Sequence, residues 1–419
     1  MTDVLLFVVE GYNRYSIAAL AGVVDQELAD LPVTFVQGSS RLGDEVRRLA
    51  KQHRVVIAAF SFMTPQVPQL LSILDSLEPR PDNVRLVAGG PHPSGDPLGT
   101  LQLGFDALVI GEGEIAFPEL LRRLRAGQSY ADVPGVAYLE QGLLKRNRRA
   151  SWVDLDAYPP FSINHRKLAT IEITRGCPWA CSFCQTPFFL GGKMRYRSVE
   201  QIVYWLKRAR EEVGMKYARF ISADCFAYGS KSGRELDYDS VERLLKAVSG
   251  LMGKDNTFFG SFPSEVRPGS VSREAVALVK KYAVNDHIVV GAQTGSNRLL
   301  GAIHRGHTIE DVYETAEIVV GAGFKCVIDF IFGLPEETPE DRQLTLTAIR
   351  RLAKMGATIN SHFFYPLPGT PLANTIAGEP DPEVLLFLER LTSDKQELGR
   401  WKGRLKTLES MQMIPMLTS

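Results

Sequence analysis

The sequence lacks the features that define several large classes of protein. Only five of its 419 residues are cysteine, too few for a disulfide scaffold in a chain of this size. Lysine plus arginine and aspartate plus glutamate both total 48, and this balance argues against a broad nucleic-acid-binding surface. No apolar run is long enough for a membrane span, and Asp3 and Glu10 stand where a signal peptide would be apolar. We therefore expect a cytoplasmic protein without a membrane span.

The composition that remains is that of globular domains. Apolar residues make up 45% of the chain and charged residues 23%, which excludes the disordered and fibrous classes. A chain of 419 residues is too long for one ordinary domain. We predict a first domain over 1–130, a connector hairpin and linker over 131–165, a second domain over 166–378 and a helical segment over 379–419.

Short, nearly continuous apolar stretches alternate with helical patterns in the first 130 residues. Such strands are typical of a parallel sheet that helices cover on both faces, with ligands bound beyond the carboxyl ends of the strands. Two strands run into glycine-rich stretches at 89–95 and 111–114, which are either tight turns or places where the backbone approaches a large flat ligand. No Gly-Lys-Ser/Thr follows them, so a nucleotide P-loop is not indicated. The predicted strands are Val4–Val9, Val33–Gln37, 54–62, 84–90 and 107–111.

The connector contains a small basic run. Segments 135–140 and 143–147 flank Gln141-Gly142 as in a hairpin, and the run is Lys145, Arg146, Arg148 and Arg149. Charge on an exposed edge strand discourages edge pairing, and this explanation competes with a partner-binding site.

A second alternation begins near residue 168 and predicts a partial (β/α)6 barrel. The chemistry of such barrels sits at the carboxyl ends of the strands. Apolar spacing over 382–411 then predicts one long or two shorter amphipathic helices that pack on the body. The predicted barrel strands are 170–174, 218–222, 257–261, 287–292, 326–332 and 361–365.

Three cysteines form the cluster that carries chemistry. Cys177, Cys181 and Cys184 follow a predicted strand with the spacing C-x3-C-x2-C, whereas Cys225 and Cys326 stand alone. Thiolates are soft ligands that suit zinc or an iron–sulfur cluster. Structural zinc requires four closed ligands, usually from C-x2-C pairs. Three cysteines can instead hold three corners of a cubane cluster and leave the fourth iron open to a substrate.

This loop, with Phe183 as the aromatic residue before the last cysteine, resembles that of the radical S-adenosylmethionine (SAM) enzymes. Segments 291–300 with 303–308, 331–338 and 365–371 resemble the later strand motifs of the same superfamily. The resemblance implies a [4Fe-4S] cluster whose open iron binds SAM. One electron, from a donor such as flavodoxin or ferredoxin, would cleave SAM to methionine and a 5′-deoxyadenosyl radical.

The first domain resembles the cobalamin (B12)-binding domain that precedes the barrel in one subgroup of these enzymes. The resemblance is carried by GGPHPSG, VIGEGE, the hairpin and LDxxP before the cysteine loop, and it implies a flavodoxin-like (Rossmann-like) fold. No D-x-H-x-x-G motif is present, and His53 and His92 are the only histidines in the first 130 residues. We therefore expect cobalamin bound without a protein histidine on cobalt, or a domain that has lost the cofactor.

The resemblance also assigns candidate SAM-binding residues. Asp224 would form a hydrogen bond with the ammonium group of SAM; the alternative is a turn or capping residue. Glu265 and Arg267 would reach the methionine carboxylate of SAM; the alternative is that the two pair with each other. Arg305 and His307 fit loop and capping roles better than ligand roles. The candidate set is Phe183, Asp224, Glu265, Arg267, Gln293, Ser296, Gly333 and Leu334.

The loops after the first-domain strands provide the candidate cobalamin contacts, and residues 61–63 would face the lower side of cobalt. Small residues there would let the backbone cradle a large flat cofactor. The candidate set is Tyr12, Ser61, Phe62, Met63, Gly89, Gly90, Pro91, His92, Gly111, Glu112, Gly113 and Glu114.

The activity that the resemblance implies is methyl transfer to an unactivated carbon. The 5′-deoxyadenosyl radical would remove a hydrogen, and the carbon radical would take a methyl group from methylcobalamin, which a second SAM regenerates. A cobalamin-dependent radical SAM cyclase or rearrangement enzyme that transfers no methyl, and a non-enzymatic zinc-binding module, are the alternatives. No local motif identifies the substrate, which could be a small molecule or a peptide.

Overall fold

The computed structural model describes residues 2–37 and 41–413, which form two compact units. The first unit contains the described residues up to Ala169, with Leu367–Gly369 and Met413. The second unit contains Thr170–Pro366 and Thr370–Gln412. Each unit has its own sheets and helices.

The first unit is built on a seven-stranded sheet with the strand order β2-β1-β3-β4-β5-β6-β7. Strands β1 to β5 are parallel, and β6 and β7 are antiparallel to their neighbours. The order 2-1-3-4-5 is the flavodoxin-like order, which confirms the predicted fold class. The strands are β1 (Val4–Val9), β2 (Val33–Gln37), β3 (Val56–Ser61), β4 (Val84–Gly89), β5 (Ala107–Val109), β6 (Val136–Glu140) and β7 (Leu143–Arg146).

Helices cover both faces of this sheet because its strands are apolar on both sides. Leu5 and Phe7 of β1 belong to one buried cluster, and Leu6 and Val8 belong to a second cluster. Alternate residues of a strand point to opposite faces, so the two clusters are two layers of core. The helices are α1 (Arg14–Glu27), α2 (Leu42–Ala50), α3 (Val67–Asp75), α4 (Pro91–Gly95), α5 (Pro97–Gln102) and α6 (Gly113–Ala126), with 3₁₀ turns at Thr64–Gln66 and Leu155–Ala157.

The predicted hairpin is present, but it extends the sheet and does not form a separate connector. Val136 and Ala137 of β6 pair with Val109 and Leu108 of β5, and both are fully buried. The boundary predicted at residue 130 therefore falls inside the first compact unit, which continues to Ala169. The physical reason is the apolar start of β6, which completes one core layer beside β5.

The second unit carries parallel strands in the barrel order. Strand β8 pairs with β11, and β12, β13 and β14 form a three-stranded sheet. Single bridges, Ala218 with Thr257 and Val266 with Val290, connect the two sheets through the intervening segment. The strands are β8 (Ile171–Glu172), β9 (Thr174–Arg175), β10 (Arg195–Tyr196), β11 (Phe220–Ile221), β12 (His287–Gln293), β13 (Lys325–Phe332) and β14 (Thr358–Phe363).

Helices alternate with these strands and close the unit. The last two confirm the shorter-helix alternative for the C-terminal segment, of which residues 414–419 lie outside the described residues. The helices are α7 (Thr186–Leu190), α8 (Val199–Val213), α9 (Tyr238–Met252), α10 (Arg273–Tyr282), α11 (Asn297–Ala302), α12 (Ile309–Gly321), α13 (Pro339–Lys354), α14 (Pro382–Ser393) and α15 (Trp401–Gln412), with 3₁₀ turns at Cys225–Ala227, Lys254–Asn256 and Pro268–Ser270.

One predicted barrel strand is irregular. Residues 257–261 form no strand, although Phe258 N donates to Ala218 O at 3.0 Å and Val289 N donates to Gly260 O at 2.9 Å. Gly260 has φ of +83°, which is outside the β region, and Pro263 lacks an amide donor. The segment therefore holds its place between the sheets with isolated hydrogen bonds.

No helix within residues 2–37 and 41–413 is long and apolar enough to cross a bilayer.

Candidate functional site

The cysteine loop follows β9 and is held by backbone contacts on both sides. Gly176, at φ of +89°, begins the loop, and a β-carbon there would collide with the carbonyl oxygen of Lys193. Cys177 N donates to Gly191 O at 2.9 Å, and Cys184 N donates to Cys181 O at 3.0 Å. All three thiols are free of disulfides. The chain therefore presents three thiols in one constrained loop at the carboxyl end of a strand.

The three thiols lie in a protected environment. Cys181 is 4% exposed, and burial raises the pKa of the Cys177 thiol to about 11 and also raises that of Cys184. Within the described ranges, no group of three or more histidine, cysteine or acidic residues is placed to hold a single metal ion. In a cubane each thiolate binds a different iron, so its ligands need not converge on one point. The donor set fits a cluster with three thiolate ligands.

Two buried arginines contact the middle cysteine. Arg305 Nη1 donates to Cys181 Sγ at 3.5 Å, and Arg267 Nη1 approaches the same sulfur at 3.8 Å. Arg267 and Arg305 are 4% and 8% exposed, and burial together with Arg305 lowers the pKa of Arg267 to about 10. Two neighbouring buried cations require compensating negative charge. This pair therefore fits a thiolate-bound cluster, and it gives Arg305 a contact that the sequence did not indicate.

Further contacts fix the two guanidinium groups. Arg305 Nη2 donates to Gly291 O at 2.6 Å, and Arg267 Nη2 donates to the carbonyl oxygen of Arg305. The Arg267 guanidinium stacks on the Trp179 ring, with Cζ 4.0 Å from the ring centroid. Trp179 itself lies in the cysteine loop. Arg267 therefore packs against the loop through both the Trp179 ring and the Cys181 sulfur.

Asp224 lies just after β11 and has one unsatisfied oxygen. It is 2% exposed, and burial raises its pKa to about 6. Ser270 Oγ donates to Oδ2, whereas Oδ1 has no hydrogen-bond partner among the described residues. An unpaired buried carboxylate oxygen is costly unless a ligand supplies a donor. Its environment fits the ammonium group that the sequence resemblance assigned to this position.

Glu265, a second candidate with a carboxyl group, is half-buried. Burial, and then the negative charge of Asp329, raises the pKa of Glu265 to about 7. No ion pair joins Glu265 to Arg267 among the described residues, so the alternative in which they simply pair with each other is not what the structure shows.

The end of β12 carries a strained residue. Gln293 has φ of +80° at a register shift in the β12–β13 pairing, and it is 9% exposed. Non-glycine residues in the left-handed region persist where the surroundings hold them, often at functional sites. A β-carbon on Gly291, two residues earlier, would lie 2.6 Å from Gln293 Nε2 and from Arg305 Nη2. The absence of a side chain there allows both groups to approach the strand.

The remaining SAM candidates have different surroundings. Ser296 caps α11, since its Oγ accepts from Leu299 N at 3.2 Å and donates to Asp341 Oδ1 at 2.5 Å, so its hydroxyl is already used within the chain. Gly333 has φ of +73° after β13, and Leu334 is 2% exposed. Phe183 is half-buried in the cysteine loop.

A polar row that the sequence did not reveal crosses the barrel strands. Asp329 of β13 is in register with Asn360 of β14, and Asn360 Nδ2 donates to Asp329 Oδ1 at 2.6 Å. His362 Nε2 lies 3.8 Å from the same oxygen, and Arg404 Nη1 of α15 donates to Asn360 Oδ1 at 2.8 Å. Polar residues at positions i and i+2 of an apolar strand, Asn360 and His362, were the available sequence signal. Only the structure shows that α15 contributes to the row.

In the first unit, the candidate crevice lies where the strand order reverses, between β1 and β3. Asn13 ties the two strand ends together, because its Nδ2 donates to Val8 O at 3.0 Å and Ser61 O at 3.1 Å. Met63 is 39% exposed after β3. Burial, followed by Glu10, raises the pKa of Tyr12 to about 12. Sequence reasoning missed Asn13, whose side-chain contacts depend on the fold.

Several predicted cobalamin contacts are interior residues of this unit. Phe62 and His92 are each 2% exposed with ring centroids 5.6 Å apart, and burial lowers the pKa of His92 to about 4. Ser61 Oγ accepts from Ser16 Oγ at 2.9 Å. These side chains belong to the core, because the 89–95 stretch forms the end of β4 and the one-turn helix α4 and not an open loop.

The glycines of both predicted stretches lie at the carboxyl ends of β4 and β5. Gly90 and Gly111 have φ of +100° and +78°, which side chains rarely adopt. Gly113 begins α6, and a β-carbon on it would lie 2.9 Å from the Leu20 side chain. Among the predicted residues of these two stretches, Gly89, Gly90, Pro91, Gly111 and Gly113 are half-buried, and His92, Glu112 and Glu114 are buried.

Comparison with protein families identifies both units. The family model described as "Radical SAM superfamily" matches residues 171–349, and the "B12 binding domain" model matches residues 12–121. The chain thus contains a region that matches radical SAM domains, preceded by a region that matches B12-binding domains. The cofactors that these domains define are a [4Fe-4S] cluster, SAM and cobalamin.

Curated relatives are similar over part of their length. A putative methylthiotransferase of Methanocaldococcus jannaschii is 28% identical over 297 residues, 68% of this chain and 61% of the relative. An uncharacterised methyltransferase of Pyrococcus horikoshii is 25% identical over 284 residues, 65% of this chain and 59% of the relative. The chain thus spans about three fifths of the relatives it matches.

Solved structures share the fold. The methyltransferase TsrM from Kitasatospora setae, with cobalamin and a [4Fe-4S] cluster, superposes with a TM-score of 0.69 at 17% identity, covering 90% of this chain and 78% of TsrM. The cobalamin-dependent SAM radical enzyme OxsB gives a TM-score of 0.66 at 18% identity, covering 83% of this chain and 52% of OxsB. At these identities the likeness concerns the fold alone.

Proposed function

We propose that this chain is a cobalamin-dependent radical SAM methyltransferase that acts on an unactivated carbon. The observation that carries the proposal is the cysteine loop, where three thiols and two buried guanidinium groups occur together at the carboxyl ends of the barrel strands. When bound, the cluster would supply the electron that cleaves SAM, and cobalamin would supply the methyl group. The role of the chain is to bind and orient these groups and to exclude water from them.

Cys177, Cys181 and Cys184 are the proposed cluster ligands, and three thiolates leave one iron for SAM. Asp224 would accept a hydrogen bond from the SAM ammonium through its unpartnered Oδ1. Gln293 would donate to the ribose or the methionine part from its strained position. The other proposed contacts are Phe183, Glu265, Arg267, Gly333 and Leu334.

In the first unit, backbone at the glycines would cradle cobalamin, and Tyr12 and Met63 would lie beside it at the strand-order reversal. His92 is unsuited to ligate cobalt because its Nδ1 lies 3.1 Å from Thr64 Oγ1 inside the core. This supports cobalamin bound without a protein histidine. The proposed backbone contacts are Gly89, Gly90, Gly111 and Gly113.

The polar row of the barrel would hold the substrate. Asp329, Asn360 and His362 present hydrogen-bonding groups in the layer where Gly291 leaves space for Arg305. The inner layers of most such barrels are filled by aliphatic side chains, so polar groups here favour contact with a polar part of a substrate. We propose that the electron comes from a carrier such as flavodoxin or ferredoxin. Free thiols suit a reducing cytoplasm.

The relatives favour a second candidate, transfer of a methylthio group. Besides the putative methylthiotransferase, a tRNA-2-methylthio-N(6)-dimethylallyladenosine synthase of Geobacter sulfurreducens is 27% identical over 296 residues, 70% of this chain and 61% of the relative. The match to the B12-binding model supports methyl transfer over this candidate.

The proposal is tested by anaerobic purification with cobalamin supplied, followed by incubation with SAM labelled in its methyl group and a reductant. We expect cluster and cobalamin spectra together, and formation of both S-adenosylhomocysteine and 5′-deoxyadenosine. A variant with all three loop cysteines changed to alanine should retain cobalamin and form no 5′-deoxyadenosine. In this assay cob(I)alamin is the methyl acceptor. If 5′-deoxyadenosine forms without S-adenosylhomocysteine and labelled methylcobalamin, a cyclase or rearrangement enzyme replaces the methyltransferase. Colourless protein with bound zinc would reject the radical mechanism.

A further inference from the structure

Cys181 differs from the other two loop cysteines in its surroundings. It is the most buried of the three, and it is the sulfur that both Arg267 and Arg305 approach, at 3.8 Å and 3.5 Å. The positive charge of the site is therefore concentrated at one of three proposed cluster ligands.

The position of Arg305 is strongly determined. Its Nη2 donates to Gly291 O at 2.6 Å, its Nη1 reaches Cys181 Sγ, and its backbone N donates to Leu300 O at 2.9 Å. The side chain passes over Gly291, where a β-carbon would lie 2.6 Å from Nη2. Arg305 Nε has no hydrogen-bond partner among the described residues. The guanidinium thus spans the distance from β12 to the cysteine loop and is held at both ends.

Arginine donors at a thiolate ligand favour the reduced state of a cluster. Reduction adds one negative charge, and a nearby cation or N–H···S hydrogen bond stabilises that charge more than it stabilises the oxidised state. The effect is large in a buried site because water does not screen it. Both guanidinium groups here are buried, and the acceptor sulfur is 4% exposed.

We propose that Arg305, together with Arg267, is a positioning residue that fixes Cys181 and raises the reduction potential of the cluster. This inference rests on the proposed function only in that the three cysteines hold a cluster. The electron enters the cluster from the donor, which is oxidised by one electron, and no proton is transferred. This role explains why two buried cations lie beside one sulfur.

The test is redox titration of the purified [4Fe-4S] protein without SAM, monitored by its visible spectrum and by electron paramagnetic resonance. We expect Arg305→Gln to lower the ratio of reduced to oxidised cluster, at a fixed solution potential, roughly tenfold. For a one-electron couple this corresponds to about 59 mV. Arg305→Lys keeps the charge and should recover most of the loss. Arg298→Gln is the matched control, because Arg298 is an exposed arginine of α11 paired with Asp341 and does not contact a cysteine.

Each outcome decides the inference. If Arg305→Gln holds a full cluster and titrates with the wild-type potential, or if Arg298→Gln shifts it equally, the inference is wrong. If Arg305→Gln loads no cluster, Arg267→Gln is titrated instead, because Arg267 is the second donor to the same sulfur. A wild-type cluster potential in Arg267→Gln also overturns the inference. Iron and sulfide analysis of the wild type separates this from a failure of the proposed function, because a chain that assembles no cluster rejects the function itself.

Discussion

The carboxylate of Asp341 connects the starts of α11 and α13, and its loss should destabilise the second unit. Asp341 Oδ2 accepts from Thr338 N at 2.9 Å and Thr338 Oγ1 at 3.0 Å, which caps α13, and Oδ1 accepts from Ser296 Oγ at 2.5 Å. Arg298 pairs with the same carboxylate, and its side-chain hydrogen bond holds the pKa of Asp341 well below its usual range. The side chain thus joins the start of α13 to the start of α11.

The size of the effect follows from these contacts. An asparagine in place of Asp341 would keep the shape but lose the charge that strengthens several hydrogen bonds, each worth about 1.5–3 kcal/mol when one partner is charged. Since the amide can replace part of them, we expect Asp341→Asn to reduce the free energy of unfolding of the second unit by about 2–4 kcal/mol. The pKa is lower in the folded state than in the unfolded state, so this stability is present above about pH 4 and is lost as pH falls further.

The assay is urea unfolding at pH 7 and at pH 3.5, with the transition of the second unit followed by tryptophan fluorescence. The difference between Asp341→Asn and the wild type should be large at pH 7 and smaller at pH 3.5. Asp311→Asn is a matched control, because Asp311 also caps a helix, α12, but is only half-buried and has no arginine partner among the described residues. A loss below about 0.5 kcal/mol for Asp341→Asn at pH 7, or an equal loss at both pH values, would refute the reasoning.

Three further predictions concern separate features. Single changes of Cys177, Cys181 or Cys184 to serine should remove the visible spectrum of the cluster and lower 5′-deoxyadenosine formation at least about 100-fold. The control is Cys326→Ser, at a buried strand position, whose folded fraction should keep the spectrum. Gly176→Ala should prevent cluster loading, because its β-carbon would collide with the Lys193 carbonyl oxygen. The control is Gly104→Ala, at φ of +96° with open space around it, which should cost only about 1 kcal/mol of stability. Equal cluster content in the two variants would contradict this prediction. Burial lowers the pKa of His92 to about 4, so the imidazole takes up a proton in the unfolded state before it does in the folded state. The free energy of unfolding of the first unit should therefore fall by up to about 3 kcal/mol as pH falls from about 6.5 to 4. Denaturation of His92→Gln should depend less on pH, and an identical pH dependence would show that another group is responsible.

Local patterns were sufficient to predict most of the fold. Continuous apolar strands such as β1 and β3 are determined by residues close in sequence, and their predicted bounds agree with the structure to within about two residues. The segment 257–261 was less regular than predicted, because Gly260 and Pro263 interrupt a pattern that is otherwise apolar. The hairpin was assigned to a connector because only the three-dimensional pairing of β5 with β6 places it in the sheet.

The site was predictable where its chemistry lies in one loop. The cysteine spacing is local, whereas the contact of Arg305 with Cys181 joins residues that are 124 positions apart. The same applies to Arg404, whose bond to Asn360 joins α15 to β14 across 44 positions. Ser296 was assigned to SAM by the resemblance, and His92 was assigned to cobalamin from its loop after a strand. In the structure both side chains form hydrogen bonds within the chain, to Asp341 and Thr64. A sequence pattern indicates which residues follow a strand, but it does not indicate which groups their side chains contact.

The central claim, that three cysteines hold a cluster with one iron open to SAM, is tested most directly by Mössbauer spectroscopy of anaerobic ⁵⁷Fe-labelled protein, with and without SAM. The account predicts a four-iron cluster in which one iron site changes its isomer shift when SAM is added, while the other three do not. A spectrum in which no iron site changes when SAM is added, or protein that holds no four-iron cluster, would contradict this claim.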